Sequence, residues 1–175
     1  MFRIIERNDH AQLEKLLQSD VTQQECQRED RHYSAYTYAC QQGATECFKL
    51  LYKHGVKQAK SEASFKKSWI AEEQLDCLFH TIQANNFELL RFLVNDVKID
   101  LNSIKDKDGC HAIHVAAKHG NDLMIYMIGE MGADVNAPDN RGNTPLHVAV
   151  LNNREHSVNF LISMGAELQT VNSDG

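Results

Sequence analysis

Apolar residues recur at intervals of three and four along most of the chain. Leu13, Leu16 and Leu17 share one face, as do Phe48 and Leu51, and again Leu90, Leu93 and Val94. That spacing follows the turn of an α-helix, so each cluster predicts an amphipathic helix with one buried side. The pattern is interrupted at Gly43, Asn85, Gly120 and Asn153, residue types that accept the left-handed backbone by which a short helix stops and reverses. Thr144 followed by Pro145 predicts a helix start. The threonine hydroxyl suits a cap, and proline suits the first helical position, where its missing N–H has no partner to lose. The opening stretch from Ile4 to Leu17 reads as a helical pair.

The pattern also repeats at long range. Gly109 and Gly142, His114 and His147, and Gly132 and Gly165 are each separated by 33 residues. Met131-Gly-Ala-Asp-Val-Asn136 is echoed by Met164-Gly-Ala-Glu-Leu-Gln169. A period of this size marks a repeat architecture, in which each unit buries its apolar face against its neighbours. One interval departs: Gly43 to Asn85 spans 42 residues, nine beyond the period, and the surplus falls in Val56–Gln74. This stretch holds no Gly or Pro and is rich in helix formers, which predicts an inserted or lengthened helix. Phe65, Trp69 and Ile70 are expected to pack it onto the core, although repeat insertions often emerge on a binding face.

Thr144-Pro145-Leu146-His147-Val-Ala149 and Gly132-Ala-Asp-Val-Asn136 resemble the signature segments of the ankyrin-repeat family. More worn copies run from Tyr38 to Gly55 and from Ile82 through Asn102. The resemblance implies an all-α ankyrin-repeat solenoid, with helix-turn-helix repeats joined by β-hairpin-like loops. One domain over 1–175 is expected: a cap-like N-terminal helix pair at 1–21 and about four repeats, at 22–58, 59–103 with the insertion, 104–137 and 138–171. Residues 172–175 would then begin a further repeat, and with Val158, Leu161 and Ile162 at core spacing the native protein is expected to continue past Gly175 or to be covered there by a partner or a second copy.

Composition narrows the chemistry. Eighteen Lys and Arg against 24 Asp and Glu give a net charge of -6, which opposes general attraction to nucleic acid. No apolar run is long enough for a membrane-spanning helix. Five cysteines at irregular spacing, with no CxxC pair, read as reduced thiols, so a cytoplasmic location is expected, in the protein's own cell or in a host cytosol after export. Cys110, His111, His114 and His119 form the tightest cluster of metal-ligating types. They lack the paired ligand spacing of a structural zinc site, and His114 resembles the family's structural histidine, which bonds the neighbouring hairpin. No phosphate loop, HExxH or GxSxG is present. No catalytic, metal or cofactor site is expected. Lys53, Lys57, Lys60, Lys66 and Lys67 read as a solvated helix face.

The resemblance therefore implies a protein-binding module whose concave surface holds another protein. Carried over position by position, the contacts fall at Asp30, Arg31 and Tyr33, at Lys107, Asp108 and Cys110, and at Asn140, Arg141 and Asn143 in the hairpins. In the inner helices they fall at Gln41 and Gln42, Gln83 and Ala84, Lys118 and His119, and Leu151 and Asn152. Tyr33 and Arg141 are the expected anchors, since Tyr and Arg are enriched among interface hot spots. The alternative is the substrate-recognition arm of a larger enzyme or secreted bacterial effector, with its catalytic domain C-terminal to this segment. Asn136 resembles the hairpin asparagine hydroxylated in some ankyrin proteins; a structural bond to its turn is the plainer expectation.

Overall fold

A computed structural model describes residues 1–18, 34–59, 71–173 and 175, which fall into two compact units, Met1–Ala84 and Asn85–Gly175. All regular elements among the described residues are helices.

In the first unit, α1 (Phe2–Glu6) and α2 (His10–Gln18) form a short antiparallel start, and Ile5 and Leu13 are fully buried. Asn8 turns the chain between them at φ 50°. Helix α3 (Ala35–Gln41) begins at Ser34, whose hydroxyl accepts the Thr37 N–H at 3.3 Å. Gly43 reverses the chain at φ 65° into α4 (Thr45–Gln58), which buries Phe48 and Leu51. Helix α5 (Ala71–Gln83) packs on α3 and buries Cys77, Leu78 and Ile82. Phe2 meets Tyr38 edge to face at 5.0 Å between ring centres, tying α1 to α3.

The second unit holds α6 (Phe87–Asn95), α7 (Ala112–His119), α8 (Asp122–Glu130), α9 (Pro145–Leu151) and α10 (Glu155–Ser163). Helix α7 packs on both α8 and α9, while α10 packs on α8 and α9. The core runs through Leu89, Leu90 and Leu93, then Ile113 and Ala116, then Met124, Ile125 and Ile128, then Ala149 and Leu161. The small residues Ala116, Ala117 and Ala149 are fully buried where α7 and α9 meet. The short helices stop where expected: Asn85, Gly120 and Asn153 adopt φ of 55°, 72° and 54°.

The longer interval shows its effect at Gly55. Twelve residues after Gly120 and Asn153 stand Gly132 and Gly165, both at φ 91° beyond the ends of α8 and α10. Twelve after Gly43 stands Gly55, and α4 continues through it to Gln58. Helix α4 thus reaches 14 residues against nine in α8 and α10, a lengthened helix at the head of the inserted stretch. Lys60, Phe65, Lys66, Lys67, Trp69 and Ile70 lie outside the described residues. Two sequence expectations for α10 resolve differently: Leu161 is fully buried while Ile162 is 40% exposed. Neighbours on a helix point about 100° apart, so one apolar stripe does not take both.

Candidate functional site

The loops before α7 and α9 are built alike. Asp106 N–H donates to the Cys110 carbonyl at 3.1 Å, and its carboxylate accepts the N–H groups of Asp108 and Cys110 at 2.9 and 2.8 Å. In the next loop Asp139 N–H donates to the Asn143 carbonyl at 2.9 Å, and its carboxylate takes the N–H groups of Arg141 and Asn143, both at 2.8 Å. Partial burial works to raise the Asp139 pKa, but the bonds from the Asn143 side chain and from the Asn143 and Arg141 backbones outweigh it and hold the carboxyl below its ordinary value. These aspartates shape the tips from within.

Successive loops are joined by rungs. Asn140 N–H donates to the Asp108 carbonyl at 3.0 Å and its side-chain amide to the Lys107 carbonyl at 3.0 Å. One period later, Ser173 N–H donates to the Arg141 carbonyl at 2.9 Å. Gly109, at φ 81°, permits this approach: a β-carbon there would stand 2.4 Å from Asn140 Oδ1 and 2.6 Å from its backbone nitrogen. A second set of rungs runs through asparagines in the loops after α6 and α8. Asn102 donates to the Gly132 carbonyl at 2.9 Å and accepts the Asp134 N–H at 2.8 Å. Asn136 donates to the Gly165 carbonyl at 3.4 Å and accepts the Glu167 N–H at 2.9 Å. Asn136 thus has a structural role, one that spans two loops rather than one turn.

With their backbones fixed in this way, Lys107, Asp108, Asn140 and Arg141 point outward and are exposed. At the ends of the inner helices Lys118, His119 and Leu151 are exposed and Asn152 is half-buried, its amide donating to the Val148 carbonyl at 2.8 Å. Lys107, Lys118 and Arg141 have no carboxylate within ion-pair distance among the described residues. Asn143 departs from expectation. It is only 8% exposed, with its amide donating to Asp139 at 3.0 Å and its side-chain oxygen accepting from Asn172 at 2.7 Å, so it organises the tip from below. In the first unit Gln41 and Gln42 are exposed at the end of α3, and Gln83 and Ala84 are exposed at and just past the end of α5. Asp30, Arg31 and Tyr33 lie outside the described residues.

Sequence reasoning missed Arg154. Its Nε donates to the Lys118 carbonyl at 3.0 Å, and its side chain crosses Gly120, where a β-carbon would stand 2.8 Å from Arg154 Cδ. The signal was faint, because the matching position one period earlier is Asn121, a helix-capping residue whose side chain accepts the Met124 N–H at 3.3 Å.

Cys110 and His114, unlike exposed His119, sit partly or fully inside this unit. Cys110 is half-buried, and its thiol is pushed up to about 11 by burial and by Asp106, Asp139 and Asp108, so it stays protonated at neutral pH. His114 is 1% exposed, its Nδ1 accepts the His111 N–H at 3.1 Å, and its Nε2 lies 3.0 Å from the Asn143 carbonyl. A carbonyl only accepts, so Nε2 carries the proton. Among the described residues no three His, Cys, Asp or Glu side chains come together as metal ligands, and no helix is long and apolar enough to cross a membrane.

Residues 78–172 match the family profile described as ankyrin repeats in three copies, which spans more than half of the chain. Protein phosphatase 1 regulatory subunit 27 of Mus musculus is 33% identical over 102 residues, covering 57% of this chain and 65% of the relative. The nuclear factor NF-kappa-B p110 subunit of Drosophila melanogaster is 25% identical over 166 residues, 85% of this chain and 17% of the relative. The chain thus spans less than two thirds of either. The crystal structure of the ankyrin repeat domain of Bcl-3, described as a unique member of the IkappaB protein family, superposes with a TM-score of 0.73 at 18% identity, over 94% of this chain and 69% of that one.

Proposed function

This chain belongs to the ankyrin-repeat family, and from that membership together with its loop geometry we infer that it is a protein-binding module rather than an enzyme. The observation that carries the reading is the locked row of loop tips in the second unit: Lys107, Asp108, Asn140 and Arg141 are exposed while their backbones are fixed by the Asn140 and Ser173 rungs. Groups ordered before binding lose little conformational entropy on association, which favours affinity from a modest number of contacts. Lys118, His119, Leu151 and Asn152 extend the row onto the inner helix ends, and Gln41 and Gln42 are its counterparts in the first unit. Arg31 and Tyr33 complete the proposed contact set. We place the module in the cytosol, its own or a host's; the described cysteines, Cys40, Cys47, Cys77 and Cys110, are all free, which suits a reducing compartment. The regulatory subunits among its relatives support a role in bringing a partner under control.

Site-specific photocrosslinking tests the reading. A crosslinker at Arg141 or Lys118 is expected to capture one discrete protein from lysate, whereas the same group at exposed Glu130 on α8 is expected to capture none. Equal capture from all three positions would remove the assignment of this face.

A further inference from the structure

The left-handed stops at Asn85, Gly120 and Asn153 are each followed by the residue that begins the next helix, Asn86, Asn121 and Arg154. Asn86 and Asn121 cap their own helices, accepting the N–H groups of Leu89 and Met124 at 3.0 and 3.3 Å. Arg154 makes no such bond, and α10 starts without a side-chain cap. Its side chain turns to the preceding repeat instead. Nε donates at 3.0 Å to the Lys118 carbonyl, one of the last in α7, and the methylene chain lies over Gly120. Such terminal carbonyls have no partner within their own helix. A local rule of helix building set aside in this way marks a position shaped by function.

We propose that Arg154, with Lys118 beside it, is an anchor that receives a carboxylate side chain of the partner, so that the segment held against this end of α7 is acidic. This rests on the reading of the chain as a protein-binding module and adds to it a residue outside the loop tips.

The chemistry of the guanidinium carries the choice of partner. With Nε engaged, its two terminal nitrogens still form a planar fork that matches the two oxygens of a carboxylate. Arg154 is exposed, and among the described residues no carboxylate lies within ion-pair distance of it or of Lys118. The neighbouring acid is occupied, since Asp122 accepts the Ser157 hydroxyl at 2.6 Å. In a chain with 24 acidic residues against 18 basic ones, an arginine that none of them neutralises is left for an outside anion. The bond to Lys118 and the bed at Gly120 also hold the fork in place before anything arrives, so little rotamer freedom is lost on binding. A lysine could not do the same, because a single ammonium cannot hold the carbonyl and also present a fork.

The experiment follows the Arg154 Nε–H signal by NMR in the full chain during titration with an octaglutamate peptide. The net charge of -6 opposes such a peptide, so any binding reports a local site. The Arg154 signal is expected to shift and saturate, while that of Arg91, exposed on α6, stays in place. Arg154→Lys should keep the fold and weaken peptide binding about tenfold or more, the worth of a charge-assisted hydrogen bond. Gly120→Asn tests the bed without touching the arginine. Asparagine already stands at φ 55° and 54° in the other two stops, but a β-carbon at Gly120 would come within 2.8 Å of Arg154 Cδ. This variant should stay folded, lose the protected Nε–H signal and bind the peptide as weakly as Arg154→Lys. An Arg154 signal unmoved by the peptide, or binding by Arg154→Lys equal to that of the native chain, would overturn the proposal. So would an equal response to inorganic phosphate, since the site would then take a small anion rather than an acidic segment. Photocrosslinking from Lys118 that succeeds and is undiminished by Arg154→Lys would sink this anchor alone, whereas equal capture from all three crosslinker positions removes the face itself.

Discussion

His114 Nε2–H donates to the backbone carbonyl of Asn143 at 3.0 Å, joining the start of α7 to the loop that leads into α9. The ring is buried, and its other nitrogen accepts the His111 N–H at 3.1 Å. One side chain thereby fixes its own helix start and the position of the next loop.

Replacing His114 with Leu keeps apolar bulk but leaves the His111 N–H without its partner and takes one of two donors from the Asn143 carbonyl, which keeps the Asp139 N–H. A buried polar group left unpaired costs about 1–3 kcal/mol. The urea midpoint should therefore fall clearly, with the crosslinking row around Asn140 and Arg141 disturbed as well. A midpoint unchanged within error would show that the bond contributes nothing.

The same residue predicts a pH dependence. Burial, followed by the charge of His111, lowers the His114 pKa below its ordinary 6.5, and the bonds to the Asn143 and Ala137 carbonyls only partly oppose this. The unfolded chain then takes up a proton before the folded one does. His114's contribution is complete above about pH 6.5, declines as pH falls below it, and is lost once pH passes the folded value. Urea titrations between neutral pH and mildly acidic pH should show this decline in the native chain and a shallower one in His114→Leu. Parallel pH profiles would contradict the assignment.

His111 and Thr144 occupy the same position one period apart. The Thr144 hydroxyl meets His147 Nδ1 at 2.9 Å. His111 Nδ1 is buried without a hydrogen-bond partner among the described residues, since the nearby His114 N–H is already given to the His111 carbonyl at 3.0 Å. His111→Thr should therefore stabilise the chain, by about 0.5–2 kcal/mol if it gains a full cap. Thermal unfolding checks this, and a lower Tm would refute it.

Leu146→Ala removes a largely buried side chain from the start of α9. Truncations of this kind cost roughly 2–5 kcal/mol, and the lower part of that range is expected because Leu146 also borders an open hollow beside α9. A loss well below 1 kcal/mol would place this residue outside the core.

Much of this was legible in the chain itself, and for identifiable reasons. Gly43, Asn85, Gly120 and Asn153 announce left-handed stops because few residue types tolerate them, and all four adopt positive φ. The His114 bond followed from likeness to a family, since no local pattern reveals an acceptor 29 residues away. The burial of Asn143 was not legible because its place in a loop tip suggests exposure; only the fold shows that Asp139 and Asn172 bond its side chain. The exposure of Val150, Leu168 and Val171 escaped notice because period alone says which residues share a stripe, and not whether another element lies over it.

The asparagine rungs bear on how the protein ages. Asparagine is among the thermolabile residues, and it deamidates when the following backbone nitrogen attacks its side-chain carbonyl carbon. In Asn136 both side-chain atoms are held, by Gly165 and Glu167, and the following Ala137 N–H is itself bonded to Asp134 at 3.3 Å. Folding thus engages both the attacking N–H and the attacked amide in other bonds. Should the amide be lost, a carboxylate oxygen would face the Gly165 carbonyl where a donor had been, and the rung would become a repulsion. The shelf life of this loop is thus governed by how often it opens, and damage once done favours further opening.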